Sequence, residues 1–259
     1  LNDTFKKDRY TVIHKLGHGG FATVWLARDA VRQRYAALKI LAARLSRDCP
    51  EVEILRRLRN SEESVGKAFV MSMLDHFWIH GPNGNHLCVV SEVGGPSIKQ
   101  FNECPGLKSG SRRLRGEVAR KVALQATEGL AYIHSTGTVH GGMCLSTLAT
   151  KAVMHEIDLL ELDFTAANIL LQLANIDEWT VEQIHERLGK PQTQDLHRRG
   201  SGEGDLSGPR YTINTIDMVN DKTIFPTLAK ISTQFYKKVT DKPCFFRNWW
   251  THNGSRIKS

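Results

Sequence analysis

From Tyr10 to Ala42 the chain reads YTVIHKL, FATVWLAR and RYAALKIL, three runs in which apolar residues alternate with polar ones or are β-branched. Alternation has the period of a strand. Gly17, Gly19 and Gly20 separate the first two runs, so consecutive antiparallel strands are predicted. PEVEILRRLRN (50–60) then opens on a proline suited to a first helical turn and carries Val52, Leu55 and Leu58 at helical spacing, which predicts one helix after the strands. HLCVVSEV (86–93) returns to strand character after the turn-rich GPNGN, and Gly94, Gly95 and Pro96 end it. That break is the expected lobe boundary. GEVARKVALQATEGLAYIHSTG (116–137) spaces Val118, Val122, Ala126, Leu130 and Ile133 three or four apart, a long amphipathic helix with a glycine stop. RRGSGEGDLSGPR (198–210) reads as a Gly/Ser-rich loop, and no internal repeat is present.

Composition limits the class. With 259 residues, 41% hydrophobic and 24% charged, the chain is globular material for one large domain or two modest lobes. No run has the length of a membrane span, and LNDTFKKDRY lacks the layout of a signal peptide, so a soluble intracellular protein is expected. A chain opening on Leu1 rather than Met is expected to be a fragment or a trimmed product. Five scattered cysteines, none in a C-x-x-C pair, argue against a disulfide framework or a zinc site and are expected to be reduced. The net charge of +8 is spread along the chain, and direct nucleic-acid binding is not expected from it.

The chemistry begins at KLGHGGFATVWLARD. Backbone without side chains at Gly17, Gly19 and Gly20 can approach phosphate oxygens, and Val24 would offer an apolar face to a base. A plain glycine hairpin would look much the same. Lys39, closing the segment YAALK, and Glu51 on the following helix sharpen the reading, because a lysine that holds phosphates needs a carboxylate partner. Glycine loop, strand lysine and helix glutamate in this order resemble a protein kinase. RYTVIHKLGHGGFATVWLARD, DHFWIHGPNGNHLCVVSEVGGPS and LANIDEWTVEQIHERLG resemble the SR-protein kinase family, over roughly residues 5–210.

The resemblance implies an α+β, bilobal protein-kinase-like fold with a complete β-rich N-lobe (1–94) and an incomplete α-rich C-lobe (95–211), followed by a tail (212–259) without family resemblance. It implies ATP and Mg²⁺ as cofactors. Leu16, Gly17, His18, Gly19, Gly20, Phe21 and Ala22 match the nucleotide loop, Ala22 standing where many kinases keep a third glycine. Val24 and Ala37 match the adenine roof, and Lys39 and Glu51 the phosphate lysine and its partner, with Glu53 as a one-register alternative. Ser91 falls at the gatekeeper position, where a small side chain is expected to open the back of the pocket, and Glu92 and Val93 match the hinge. Expected partners are ATP and Arg/Ser-rich protein substrates, with no membrane, and the expected location is cytoplasm and nucleus.

In the family the catalytic loop reads His-Gly-Asp, four residues, Asn. Here His140 and Gly141 are separated from Asp163 and Asn168 by residues 142–162, and removing those restores HGDFTAANILL. By resemblance Asp163 is the base that accepts the hydroxyl proton, Asn168 a Mg²⁺ ligand and His140 the anchor of the loop. The insertion is either genuine or a retained short intron, since Gly142-Met143-Cys144 and Leu162-Asp163 admit codons carrying splice signals. Lengthening a loop costs only about (3/2)RT ln n. Catalysis is less tolerant: a misplacement of about 1 Å costs roughly a hundredfold. Gly141 stands where many kinases have an arginine that receives a phosphorylated activation loop, so that switch is not expected.

Beyond 211 there is no Asp-Phe-Gly and no Ala-Pro-Glu; Asp217 is the nearest, weak candidate for the second Mg²⁺ ligand. The tail mixes Phe, Tyr and Trp with Lys and Arg, a composition that also occurs in single-strand nucleic-acid platforms. Two readings therefore stand: a serine/threonine kinase of Arg/Ser-rich splicing factors, and an inactive nucleotide-binding pseudokinase.

Overall fold

The three expected strands lie side by side in the computed structural model, which describes residues 1–103, 114, 116–139, 165–195, 211–216, 218, 229–231 and 237–238. A short β1 (Thr4–Phe5) precedes β2 (Tyr10–His18), β3 (Ala22–Asp29) and β4 (Arg34–Leu41). Next come α1 (Ala43–Ser46), α2 (Glu51–Asn60), a 3-10 turn (Val65–Phe69), β5 (Met73–Gly81) and β6 (Gly84–Ser91). All six strands form one antiparallel sheet in the order β1-β2-β3-β4-β6-β5. Sequence reading found β6 but missed β5, its hairpin partner across the Asn-Gly turn.

Side chains at paired positions share a sheet face. Tyr35, Ala37, Lys39 and Leu41 of β4 therefore point one way, with Leu26 and Val24 of β3 and Val89 and Ser91 of β6. The opposite face carries Tyr10, Val12, Ala27, Ala36, Leu38, Cys88 and Val90 in a cluster of their own. The Arg9 guanidinium closes that end of the sheet with two 2.9 Å bonds to Asp29, while Tyr10 Oη donates to Asp75 at 2.8 Å.

Helix α2 covers one end of the first face. Ile54, Leu55 and Leu58 are buried there against Leu41, Leu87, Val89, Tyr132 and Ile133, and full burial of such a side chain contributes roughly 1.5–3 kcal/mol. Pro50 sits at its N-cap, as its missing N–H allows.

The rest supplies β7 (Gly94–Ser97), α3 (Ile98–Glu103), α4 (Gly116–Ser135), β8 (Thr138–Val139), β9 (Ile169–Gln172), α5 (Val181–Leu188), β10 (Thr193–Asp195), β11 (Tyr211–Ile213), β12 (Ala229–Ile231) and β13 (Lys237–Lys238). The expected glycine-proline break is itself a strand: β7 pairs with β9, and β12 flanks β9 on the other side. A Cβ on Gly95 would lie 2.8 Å from the Leu171 carbonyl oxygen, so this approach requires glycine. Helix α4 matches the expected span and packs on the 3-10 turn so closely that a Cβ on Gly66 would lie 2.2 Å from the Glu128 carbonyl oxygen. The tail contributes β12 beside β9 and β13 beside β8. Cys49 and Cys88 are free thiols, and among the described residues no helix is long and apolar enough to cross a membrane.

Candidate functional site

The sheet face that bears Lys39 is packed over at both ends. On one side α2 closes over Leu41 and Val89; on the other, α5 buries Ile184 and Leu188 against Ile13, Leu26 and Tyr35. The strip between holds Val24, Ala37 and Lys39. Val24 and Lys39 are direct cross-strand partners and both are half-buried, so an apolar roof and a cation stand side by side.

Lys39 Nζ donates to both Glu51 carboxylate oxygens, at 2.7 and 2.8 Å, with the two side chains 14% and 6% exposed. Burial pushes the Glu51 carboxyl above its ordinary value, and the Lys39 charge and hydrogen bond oppose that. The alternative register is not used: Glu53 is 74% exposed and faces Arg57 at 3.6 Å. The lysine is thus fixed by a carboxylate from α2, the arrangement a phosphate-holding lysine needs.

The loop joining β2 to β3 starts beside that strip, Gly17 pairing with Val24. His18, Gly19 and Gly20 are exposed, and a Cβ on Gly17, Gly19 or Gly20 would meet nothing within 4 Å. Gly19 N–H donates to the Ala22 carbonyl at 2.9 Å, closing the hairpin, while Ala42 N–H to Phe21 O and Arg44 to Gly20 O tie it to the chain after β4. An open, glycine-lined loop beside a fixed ammonium suits phosphate oxygens.

On the hinge side Ser91 pairs with Ala37 across β4 and β6, and its hydroxyl donates to the Glu92 carbonyl at 3.1 Å. Glu92 accepts from Ser72 N–H at 3.4 Å, and Val93 and Leu16 pack together on the cluster beneath α5. Asn168 is 9% exposed at the start of β9, its N–H donating to the Thr165 carbonyl at 2.9 Å. His140, Asp163, the insertion 142–162 and Asp217 lie outside the described residues. Lys39, Glu51, Val24, Ala37 and the glycine loop are brought together; Leu16, Ser91 and Val93 border them.

Sequence reasoning missed the second cover. Asp177, Trp179, α5, Ile216 and Met218 bound the strip on the hinge side, and one signal was available. Thr180 and Gln183 form a capping box, Thr180 Oγ1 accepting from Gln183 N–H at 3.3 Å and Gln183 Oε1 from Thr180 N–H at 2.8 Å.

Sequence comparison finds protein kinases among known proteins. The chain is 35% identical over 145 residues to Protein kinase dsk1 of Schizosaccharomyces pombe, a match covering 54% of this chain and 26% of that protein. It is 33% identical over 139 residues to SRSF protein kinase 3 of Homo sapiens, covering 52% and 24%. The chain is a homologue of SR-protein kinases. Serine/threonine-protein kinase SKY1 of Saccharomyces cerevisiae is 32% identical over 148 residues, or 53% of this homologue and 19% of SKY1. The match thus spans about a quarter or less of the length of these relatives. No family model matches the chain. The six-stranded sheet with α2 against it is the N-lobe of a kinase-like α+β fold.

Proposed function

We propose that this chain holds ATP along the strip of Val24, Ala37 and Lys39 between α2 and α5, and that it serves a serine/threonine protein kinase reaction on Arg/Ser-rich proteins, splicing factors among them. The observation that carries the reading is the bidentate Lys39–Glu51 pair beside an open glycine loop. Val24 and Ala37 would roof the base, Lys39 would neutralise phosphate oxygens, and Asp163 would accept the proton of the attacking Ser or Thr hydroxyl as the γ-phosphoryl passes to it. Location in cytoplasm and nucleus belongs to the same reading.

Of the groups assigned to Mg²⁺, Asn168 lies among the described residues, and Asp217 lies outside them. Mg²⁺ takes oxygen ligands and is usually held through one or two carboxylates. Asn168 would supply an amide oxygen, yet the described residues contain no cluster of three His, Cys, Asp or Glu. The second reading is a module that holds the nucleotide without transferring phosphate.

Binding of ATP by calorimetry, with and without Mg²⁺, and labelled-phosphate transfer to an Arg/Ser repeat peptide separate the two. Transfer abolished by Asp163→Asn with ATP binding kept supports the kinase; binding without transfer supports the module. Loss of the whole nucleotide reading would follow from an unmodified chain that binds no ATP.

A further inference from the structure

The hinge-side cover has no counterpart among the groups assigned to the nucleotide above, yet it reaches the strand that enters the glycine loop. Ile184 and Leu188 of α5 are 0% and 3% exposed, and Leu16 and Val93, both bordering the proposed nucleotide, pack on the same cluster. Polar bonds fix the cover in register. The Asp177 carboxylate accepts the Tyr35 N–H at 2.7 Å, Arg28 donates to the Asp177 carbonyl at 2.8 Å, and Tyr35 Oη donates to the Trp179 carbonyl at 2.8 Å. The Tyr35 N–H lies before the β4–β6 pairing begins at Ala37, so a side chain supplies the acceptor.

The contact closest to the loop is backbone to backbone. Regular pairing of β2 with β3 is interrupted between Lys15 and Gly17, and there the Lys15 carbonyl accepts the Ile216 N–H at 2.8 Å. A bulge alters the local bend and twist of a strand. This one sits where β2 turns into the glycine loop, and Ile216 fixes it from below.

We propose that α5, Asp177 and Ile216 form a positioning element for the nucleotide, holding the hinge-side wall and the entry to the glycine loop so that ATP affinity depends on docking of α5. The proposal rests on the nucleotide reading. None of these residues is catalytic; they act through Leu16, Val93 and the glycine loop.

The cover also contains a proton-sensitive contact. His14, 2% exposed on β2, accepts the Lys15 N–H at Nδ1 (2.8 Å), and its ring meets the His185 ring of α5 edge-on at 6.3 Å. His185 Nε2 is buried without a hydrogen-bond partner among the described residues. Burial holds the His14 imidazole below its ordinary value, with His185 acting in the same direction and the Lys15, Gly189 and Lys190 backbone opposing. The other charged or titratable groups around this contact are Lys15 on β2, Arg28 on β3, Tyr35 on β4, Asp177 before α5, Glu182 and Arg187 on α5, and Lys190 after it. A histidine with a lowered folded pKa binds fewer protons folded than unfolded, so docking is favoured above the ordinary histidine range and weakens as pH falls through it.

The test is the ATP dissociation constant of the whole chain, by calorimetry well below the unfolding midpoint, for wild type, Asp177→Ala and Asp177→Asn. Loss of one or two hydrogen bonds corresponds to about fivefold weaker binding in Asp177→Ala, and Asp177→Asn, which keeps an acceptor for Tyr35 N–H, returns to within about twofold. A folded Asp177→Ala that binds ATP as wild type does overturns the proposal alone; a wild type that binds no ATP overturns the nucleotide reading and the proposal together. Should Asp177→Ala fail to fold, pH decides. Between about pH 7.5 and 5.5 wild type loses affinity more steeply than His14→Gln/His185→Gln, whose profile carries the nucleotide's own titration. Coincident profiles refute the positioning role.

Discussion

Replacing Lys39 by methionine keeps an apolar stem and removes the ammonium, leaving Glu51 6% exposed with its bidentate partner gone. Breaking a buried ion pair from one side destabilises by about 3–5 kcal/mol, whereas replacing both partners by apolar residues of similar volume is often neutral or stabilising. Lys39→Met is therefore expected to lose about 3 kcal/mol, and Lys39→Met/Glu51→Leu to return to within about 1 kcal/mol of wild type. Urea unfolding at pH 7 measures both, with the slope unchanged if the unfolded state is the same. The pH dependence is a second check. Burial already holds the Glu51 carboxyl above its ordinary 4.5, and without Lys39 the opposing charge is gone. A raised folded pKa means that the folded chain binds more protons than the unfolded one between the two values, so Lys39→Met gains stability relative to wild type as pH falls toward that range. A Lys39→Met chain as stable as wild type, or with a deficit that does not shrink on acidification, would refute the argument.

Three further outcomes follow from single sites. Gly66→Ala forces a Cβ to 2.2 Å from the Glu128 carbonyl and 2.7 Å from Tyr132 Cβ, both on a long helix, and should cost about 1–3 kcal/mol in thermal unfolding; an unchanged midpoint contradicts the packing. Burial pushes the Asp29 carboxyl up, but hydrogen bonds from Arg9, Arg32 and Val31 outweigh it and hold the group below its ordinary 3.8, so its contribution is present above that value and lost as pH falls through the folded one. Unfolding free energy followed below about pH 5 should fall less steeply in Asp29→Asn than in wild type. Ser91→Phe should weaken binding of base-enlarged ATP analogues by at least about tenfold relative to wild type, and equal affinity would show that the Ser91 side does not open the pocket.

The sheet was legible because β2, β3 and β4 are apolar, β-branched runs set off by turn residues, although burial itself does not alternate along them: Tyr35, Ala36, Ala37 and Leu38 of β4 are buried in succession. Strand β5 was not, since MLDHFWIHG mixes half-buried residues on both faces and its Leu74–Asp75 step carries a register shift. Lys39 and Glu51 were legible through spacing along strand and helix, and the choice between Glu51 and Glu53 needed the helix to be docked. The hinge-side cover was hidden for a different reason. Asp177 meets Tyr35 across 142 positions and Ile216 meets Lys15 across some 200, and no local pattern encodes a contact of that range.

The Lys39–Glu51 pair carries one more implication about what the strip between the covers is for. It lies on a sheet face whose neighbours Leu41, Val89 and Leu26 are apolar, where a leucine or methionine at either position would pack without any desolvation penalty. Folding alone gives no reason for a charged pair there, because apolar replacements are on balance as stable. A bound polyanion does give one. It arrives with its own charge to desolvate, and an ammonium already held in place by Glu51 meets it without reorganising. On the proposed reading, holding phosphates and transferring them are also physically separate tasks. The first would use Lys39, Glu51 and the loop from Leu16 to Ala22; the second would use Asp163 and Asn168. On that reading the N-terminal half would keep nucleotide binding whatever happens to transfer, and the magnesium dependence of ATP affinity is the quantity that tells the two apart.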